Sequence, residues 1–549
     1  MPVTRRTLLT AAVAGSLLPP SVHEALAREP RPGGLAAIEH VVLLMQENRS
    51  FDHYYGTLRG VRGFSDRNAI DGVFSQHGVL PFPVRGASGG DVQYIGDLDH
   101  SWDGGHRALR GGWHDGWVPA KSPATMAYYD RRDLPFHYEL VDTFTVCDAY
   151  HCSVPTSTSP NRNYWVSGCT GFEASGERAV TNAAYAEATH PGYDWPTYPE
   201  RLREAGHSWR VYQEWDNFQD NNLEFFTRFK LIARKALRGA YPSLDAFYAE
   251  LGRSSSPADM LAWLEEGVAL LPAEERALYD GALRRVRPGE LAASFRADVV
   301  AGRLPRVSYL VASSVDSEHP GASSPAAGAA LTYQVLDALA SVPRVWDSTA
   351  LFITYDENDG YFDHVPPPRP PREVADEHVG GLPLGLGPRV PMVVVSPWTV
   401  GGYVDSQVFD HSSTTRFLER WLGVPAPGIS AWRRTVCGDL TSAFDFTRRA
   451  RRPVVAQPGP ERWSAVRCGW RCATRVTRAC TWRCTRAWGS SSARSTSTCG
   501  RRRRSRCRST GGTGSPWWGR TGSGASSRAG AARRWRWSRR CTGTAGCCR

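Results

Sequence analysis

From Trp463 to Arg549 the sequence has no Leu, Ile, Phe, Tyr or Met, and no Asp, Glu, Lys, Asn, Gln or His. With only Val466 and Val476 as branched aliphatic residues the stretch has no core-forming periodicity, which excludes a packed domain there. Its lack of acids has a second consequence. It holds 21 of the 66 basic residues, all Arg, so Met1–Arg462 carries 45 basic against 54 acidic residues. The net charge of +12 thus hides a value of −9 over the larger part. A basic face for nucleic acid is excluded there, and no nucleic-acid partner is expected. Cysteine is also scarce outside the last stretch. Nine of 13 lie within it, leaving Cys147, Cys152, Cys169 and Cys437. These allow three disulfide pairings after export, and the sequence does not choose among them. Long apolar runs are missing too, so no segment reads as a membrane span.

What is present at the two ends is unusual. The last stretch is built from Arg, Gly, Ser, Thr, Ala, Trp and Cys, with Val466, Val476 and Pro516. A GC-rich gene read one frame off yields such codons. A frameshift near residues 455–465 is therefore the expected origin, with 463–549 disordered. The rival is a genuine Arg/Trp-rich tail for nucleic acid or membrane. At the other end, "TRRTLLTAAVAGSLL" pairs Arg5 with Arg6 ahead of a short apolar run, and Ala25–Ala27 gives an A-x-A pattern. This is the plan of a twin-arginine leader over residues 1–27. Its partner is the twin-arginine export machinery, and its destination is the cell envelope or the medium. That route carries folded proteins, which suits a metal loaded before export.

Between the ends, apolar segments rich in β-branched residues stop abruptly at polar ones. They lie at 38–45, 144–150, 208–214, 306–312, 349–355 and 391–398. Near-continuous apolar runs suit strands of a parallel sheet covered on both faces. Helical patterns at 197–206, 329–342 and 413–423 alternate with them. The expected fold is α/β, a doubly wound and mostly parallel sheet. Residues 217–300 read as helices without strands, hence a helical insertion or cap. Gly/Pro-rich loops occupy 79–92 and 366–390.

The chemistry collects at strand ends, where open α/β sheets place their ligands. "IEHVVLLMQENRSFDHYYG" breaks from Met45 into Glu47 and Asn48. "LFITYDENDGYFDHVPPP" breaks from Tyr355 into Asp356, Glu357 and Asp359, with Asp363 and His364 beyond. Converging, these acids and amides offer oxygen ligands for one hard or borderline divalent cation. Taken singly, each is equally a solvated turn or a helix N-cap. A third cluster, "CDAYHCSVPTSTSPNRNYWVSG", gathers Thr156, Ser157, Thr158, Ser159, Asn161 and Arg162. A hydroxyl becomes a nucleophile when a base or metal lowers its pKa, and an Arg fork fits a phosphate oxygen pair. His100, His106, His114, His319 and His411 lie near these stretches, with Trp102, Trp113 and Trp117.

Together "IEHVVLLMQENRSFDHYYGTLRGVRGF", "CDAYHCSVPTSTSPNRNYWVSG", "SEHP", "TYDENDGYFDHVPPP" and "FDHSSTTRFLERW" resemble the bacterial phospholipase C and acid phosphatase family. The likeness runs from Ile38 to Phe446, the expected catalytic domain at 38–446, and implies an alkaline-phosphatase-like fold. It implies one divalent metal ion, of undetermined identity, held by Glu47, Asn48, Asp356 and Glu357. It implies Thr158 as the nucleophile, with Ser159 and Thr156 as alternates. His100, His106 and His319 take the family's phosphate-binding or proton-transfer roles, and Asn161, Arg162 and His364 bind substrate. The expectation is an exported phospholipase C that meets phosphatidylcholine-like lipids at a membrane surface. It would release diacylglycerol and a phosphorylated head group. Alternatives are a broad acid phosphatase for monoesters and a secreted binding protein with a degenerate site. Longer members carry β-rich modules after the catalytic domain, where this chain has its anomalous tail.

Overall fold

The computed structural model describes residues 16–87 and 95–447. The Arg5–Arg6 pair, part of the 79–92 loop and the 463–549 stretch lie outside the described residues.

Val41, Val42, Leu43, Leu44 and Met45 fill strand β1 (His40–Gln46) and are at most 1% exposed. Such a run needs strand neighbours on both edges and cover on both faces. The neighbours come from β2 (Thr145–Cys147), β3 (Trp209–Tyr212), β4 (Val307–Val311), β5 (Thr349–Tyr355), β6 (Met392–Val395) and β7 (Val404–Asp405). Their spatial order is β7-β2-β6-β5-β1-β4-β3. β1 pairs in parallel with β4 and β5, as do β3 with β4 and β2 with β7. β6 alone in this sheet runs antiparallel, against both β5 and β2. A parallel neighbour would need a crossover helix to carry the chain back. The loop between β5 and β6 supplies only a three-residue 3-10 turn and a two-by-two hairpin, so the chain re-enters reversed.

Helices that bear on the site are α1 (Phe51–Tyr55), α2 (Trp102–Leu109), α3 (Thr158–Ser167), α4 (Pro325–Ala340) and α5 (His411–Leu422). Between β3 and β4 the chain forms helices Thr227–Ala236, Leu244–Leu251, Pro257–Ala269, Ala273–Ala282 and Leu291–Val300. Part of the expected leader is packed. Leu17, Leu18, Val22 and Ala25 are buried in the main core, Leu17 N–H donates to Glu139, and Ser21 Oγ donates to Asp337 on α4. A cut after Ala27 would remove this packing. The four described cysteines are free thiols. Among the described residues no helix is long and apolar enough to cross a membrane.

Candidate active site

β1 and β5 lie side by side in register, ending with Gln46 opposite Tyr355. The next residues, Glu47 and Asp356, must therefore emerge together, about 5 Å apart at the backbone. Asp356 N–H donates to the Gln46 carbonyl at 3.1 Å, and Glu47 N–H to the Ser317 carbonyl beyond β4 at 2.8 Å. Three strand ends then bend sharply. Asn48 (φ 56°), Glu318 (φ 69°) and Asp359 (φ 53°) adopt left-handed backbone. Such conformations in non-glycine residues cost of order 1–2 kcal/mol each and cluster where function demands them. The Asn48 bend lets its N–H donate to Asp356 Oδ1 (3.1 Å) and its Nδ2 to Asp359 Oδ1 (3.0 Å). Buried Arg49 reaches across to the Glu318 carbonyl from Nε (2.9 Å) and Nη2 (2.5 Å), tying the β1 and β4 ends together. Gly360 has φ 77°, and a Cβ there would fall 2.8 Å from the Asp99 carbonyl, so only glycine lets segment 96–100 lie this close.

The result is a buried crowd of acids. Glu47, Asp356, Glu357 and Asp359 are at most 1% exposed and Asp220 is 4% exposed. Burial, with Asp220 and Asp356 nearby, pushes the Glu47 carboxyl well above the ordinary range. Burial and Asp356 do the same to Glu357, and burial raises Asp359. Burial brings Asp220 to about 7 despite Arg162. Arg162 is the one guanidinium among them, with Nε at 3.0 Å and Nη2 at 2.5 Å from Glu47 Oε1, and Nη2 at 3.1 Å from Asp220 Oδ2. Asp356 Oδ2 lies 3.4 Å from Arg162 Nε yet accepts no hydrogen bond. Asn48 Oδ1 and Glu357 Oε1 are likewise buried acceptors with no donor. Uncompensated charge and orphaned acceptors are expensive in a fold and mark a place built for something else. The donor set is oxygen and the charge is strongly negative, so the residues fit a divalent cation. Glu357 also approaches His100 and Asp359, their ligand atoms lying within 4.8 Å of one another.

Thr158 opens α3, a helix that stops at Gly168 with φ 78°. Its hydroxyl is 3.5 Å from Glu47 Oε2, and it is 4% exposed. The N-terminus of α3 adds positive dipole at this spot. Asn161 serves the loop before it. Its Oδ1 accepts from Val154 N–H, and its Nδ2 donates to the carbonyls of Val154, Thr156 and Ser157. Ser159 N–H is capped by Asn182.

The histidines divide. Gly321 N–H donates to His319 Nδ1, which leaves the proton on Nε2, 4.0 Å from Asp359 Oδ1. Burial lowers the pKa of His319 to about 4. His100 Nδ1 bonds to the Leu98 carbonyl (2.7 Å) and lies 3.4 Å from Asp359 Oδ1. His100 borders an open groove of about 330 Å³, with Ser157, Thr156, Trp102 and Asn182. His106 is held between two carbonyls, with Nδ1 2.9 Å from that of Trp102 and Nε2 3.0 Å from that of Pro383. His411 bonds the Asp356 carbonyl (2.6 Å) and the Tyr150 hydroxyl, so it steadies the loop after β5. His364 belongs to another cluster, with Nδ1 at 2.6 Å from Asp52 and Nε2 at 3.4 Å from Asp66.

The sequence-level site thus comes together as Glu47, Asn48, Asp356, Glu357, Thr158 and Arg162, with His100 and His319 at its edge. His106, His364 and Asn161 are engaged elsewhere. Two members were not singled out from sequence. Asp220 lies in the stretch assigned to the insertion. Lys121 donates to the Asp99 carbonyl beside Glu357 and Asp359, and burial lowers its pKa to about 8.

A buried acidic site at the ends of parallel strands, with a hydroxyl at a helix start, has a match in sequence. Residues 38–425 match the phosphoesterase family model, and the chain belongs to that family. It is 42% identical to the non-hemolytic phospholipase C of Pseudomonas aeruginosa, across 83% of this chain and 64% of that protein. The chain therefore spans less than two thirds of that relative's length. It is 38% identical to phospholipase C A of Mycobacterium tuberculosis, across 82% of this chain and 87% of that one. Among solved structures, an alkaline phosphatase superfamily protein of Vibrio parahaemolyticus aligns with 75% of this chain and 72% of its own, at 13% identity and a TM-score of 0.31.

Proposed function

We propose that this protein is an exported, cation-dependent phospholipase C that cleaves phosphatidylcholine-like diesters through Thr158. The observation that carries the reading is the Thr158 hydroxyl facing Glu47 at 3.5 Å amid buried acceptors that lack donors. Glu47, Asn48, Asp356 and Glu357 are the residues that would hold the cation. When bound, a divalent cation supplies positive charge that favours the alkoxide and screens phosphoryl oxygens. Thr158 Oγ1, its proton released to solvent, attacks phosphorus, and the bond to the diacylglycerol oxygen breaks. The leaving oxygen takes a proton from the imidazolium form of His319, which burial disfavours in the free protein and the negative charge of a bound phosphodiester would favour. Water then opens the phosphothreonine and frees the phosphorylated head group. Arg162 and the α3 N-terminus face the charge that builds on phosphorus.

Trp102 lines the groove beside Ser157. Its ring suits a quaternary ammonium, which supports choline as the head group. The relatives' names support diester chemistry on phospholipid, and the paired Arg5–Arg6 supports twin-arginine export. N-terminal sequencing of exported protein checks the cut. A start after Ala27 fits the leader pattern, and a start before Pro20 keeps the packed helix and moves the cut upstream.

The test of function uses the purified chain with phosphatidylcholine and, separately, an aryl phosphate monoester, each with and without chelator. Chelator-sensitive phosphocholine release with little monoester turnover is the expected result. Monoester hydrolysis alone would replace the proposal with a phosphatase, and activity untouched by chelator would remove the cation.

A further inference from the structure

The segment Asp216–Asn222 follows β3 and opens the helical insertion. Its backbone is costly. Phe218 (φ 56°) and Gln219 (φ 60°) are consecutive left-handed residues without being glycine. Dense bonding holds them there. Phe218 N–H donates to Asp216 Oδ1 and Gln219 N–H to Asn217 Oδ1. Asn217 Nδ2 in turn donates to Gln213 Oε1 and Glu224 Oε1. Backbone strain kept under this much restraint is a pointer to function.

The strained turn faces two side chains of the site. The Phe218 ring meets the His319 ring edge-on at 5.3 Å and 73°. Asp220 lies on Arg162, whose Nη1 also reaches the Asp220 carbonyl at 3.4 Å. Asp220 is 4% exposed, and neither carboxylate oxygen accepts a hydrogen bond. Asn222 Nδ2 fastens the segment to α3 through the Ser159 carbonyl and Asn163 Oδ1, both at 2.8 Å. A buried carboxylate with no donor of its own is retained at a cost only when its charge is used.

We propose that Asp220 and Phe218 are positioning residues, through which the insertion sets Arg162 and His319 for the phosphoryl group. This rests on the phosphodiesterase reading. Glu47 and Asp356 now share Arg162, but they are also residues that would hold the cation. Asp220 is the carboxylate left to fix the guanidinium once they turn away, so that its fork faces a phosphoryl oxygen. Phe218 closes one side of the His319 ring and limits its rotation.

The test reads binding as well as turnover. Asp220→Asn in the full chain is expected to weaken inorganic phosphate binding to the Mn2+-loaded protein by about tenfold, as for loss of an oriented charge-assisted pair. KM for the diester should rise by a similar factor, and Asp220→Glu should recover most of it. Mn2+ affinity of the chelator-stripped protein should stay within about threefold, because Asp220 orients Arg162 and does not ligate. Unchanged phosphate binding in folded Asp220→Asn would overturn the proposal, as would a large loss of Mn2+ affinity, which would make Asp220 a ligand. Phe218→Ala guards against misfolding, since Phe218 is only partly buried. It should lower kcat with Mn2+ and phosphate affinity intact, and Phe218→Tyr should restore kcat; an unchanged kcat would overturn the His319 half. A wild-type protein that binds phosphate yet hydrolyses no diester would defeat the phospholipase reading and leave the Arg162 inference to its binding test.

Discussion

Two buried ion clusters lie close together in this fold, and their charges are handled in opposite ways. In the first, Asp52 and Asp363 face Arg389 and His364. Asp52 accepts from Arg389 Nη2 (3.0 Å) and from His364 N (2.8 Å) and Nδ1 (2.6 Å). Asp363 accepts from Arg389 Nε and Nη2, from Val365 N–H and from Asp52 N–H. Burial works against the His364 imidazolium, yet Asp52 outweighs it and holds its pKa above the ordinary value. Every carboxylate oxygen of Asp52 and Asp363 has a donor, supplied by Arg389, His364 and backbone N–H groups. In the second cluster, Glu47, Asp220 and Asp356 meet one guanidinium, Glu357 has only the Lys121 ammonium nearby, and Asp356 Oδ2 and Glu357 Oε1 have no donor. Ligand-like spacing is present in the first at Asp52, Asp363 and His364, and beside the second at His100, Glu357 and Asp359. What separates them is satisfaction: the first is finished as a structural knot, and the second keeps buried acceptors without donors, which the proposed cation would use.

The largest break in the comparison is expected at the second cluster. Thr158→Ala should lower turnover by roughly 1,000-fold or more while Mn2+ still binds, read by kinetics and calorimetry on one preparation. Next comes the structural knot. Asp363→Asn uncouples Arg389 and should reduce unfolding free energy by about 3 kcal/mol, as for a broken buried pair. Denaturant unfolding measures it, and cation affinity should not move. Asp356→Asn should do the converse, weakening Mn2+ binding by about tenfold or more without a comparable loss of stability.

The smallest effect is a pH slope. Asp220 is raised in the fold to about 7 from an ordinary 3.8, so the stability it contributes is full below its unfolded value and lost as pH rises through about 7. The cation-free protein should lose thermal stability over that window, and Mn2+ should flatten the loss. His364 is also raised, from 6.5, so its share is full below 6.5 and fades only above it. That upper window should persist with Mn2+ present.

Much of the fold was legible because apolar strands betray themselves. The runs at 38–45 and 349–355 are β1 (His40–Gln46) and β5 (Thr349–Tyr355), within two residues. The direction of β6 was not legible, since Met392–Val395 reads alike either way and its reversal follows from the connection. β7 was missed because Val404–Asp405 is two residues long and largely exposed. The polar residues after β1 and β5 were readable for the same reason as the strands, since each burst follows an apolar run. Asp220 obeys that rule too, as "QEWDNFQDNN" follows β3, but the helices beyond drew the segment into the insertion. His364 shows the limit. Seven residues past Glu357 it sits in a motif with the acids, yet the turn at Gly360 sends it toward Asp52. Spacing along the chain does not reveal which cluster a side chain joins when the backbone bends between them.

The proposed cation belongs to the unsatisfied cluster. Anomalous diffraction from crystals soaked in Mn2+ tests it most directly. A single strong peak within coordination distance of Glu47, Asn48, Asp356 and Glu357 is the expected result. A peak at Asp52, Asp363 and His364, or none near either cluster, would contradict it.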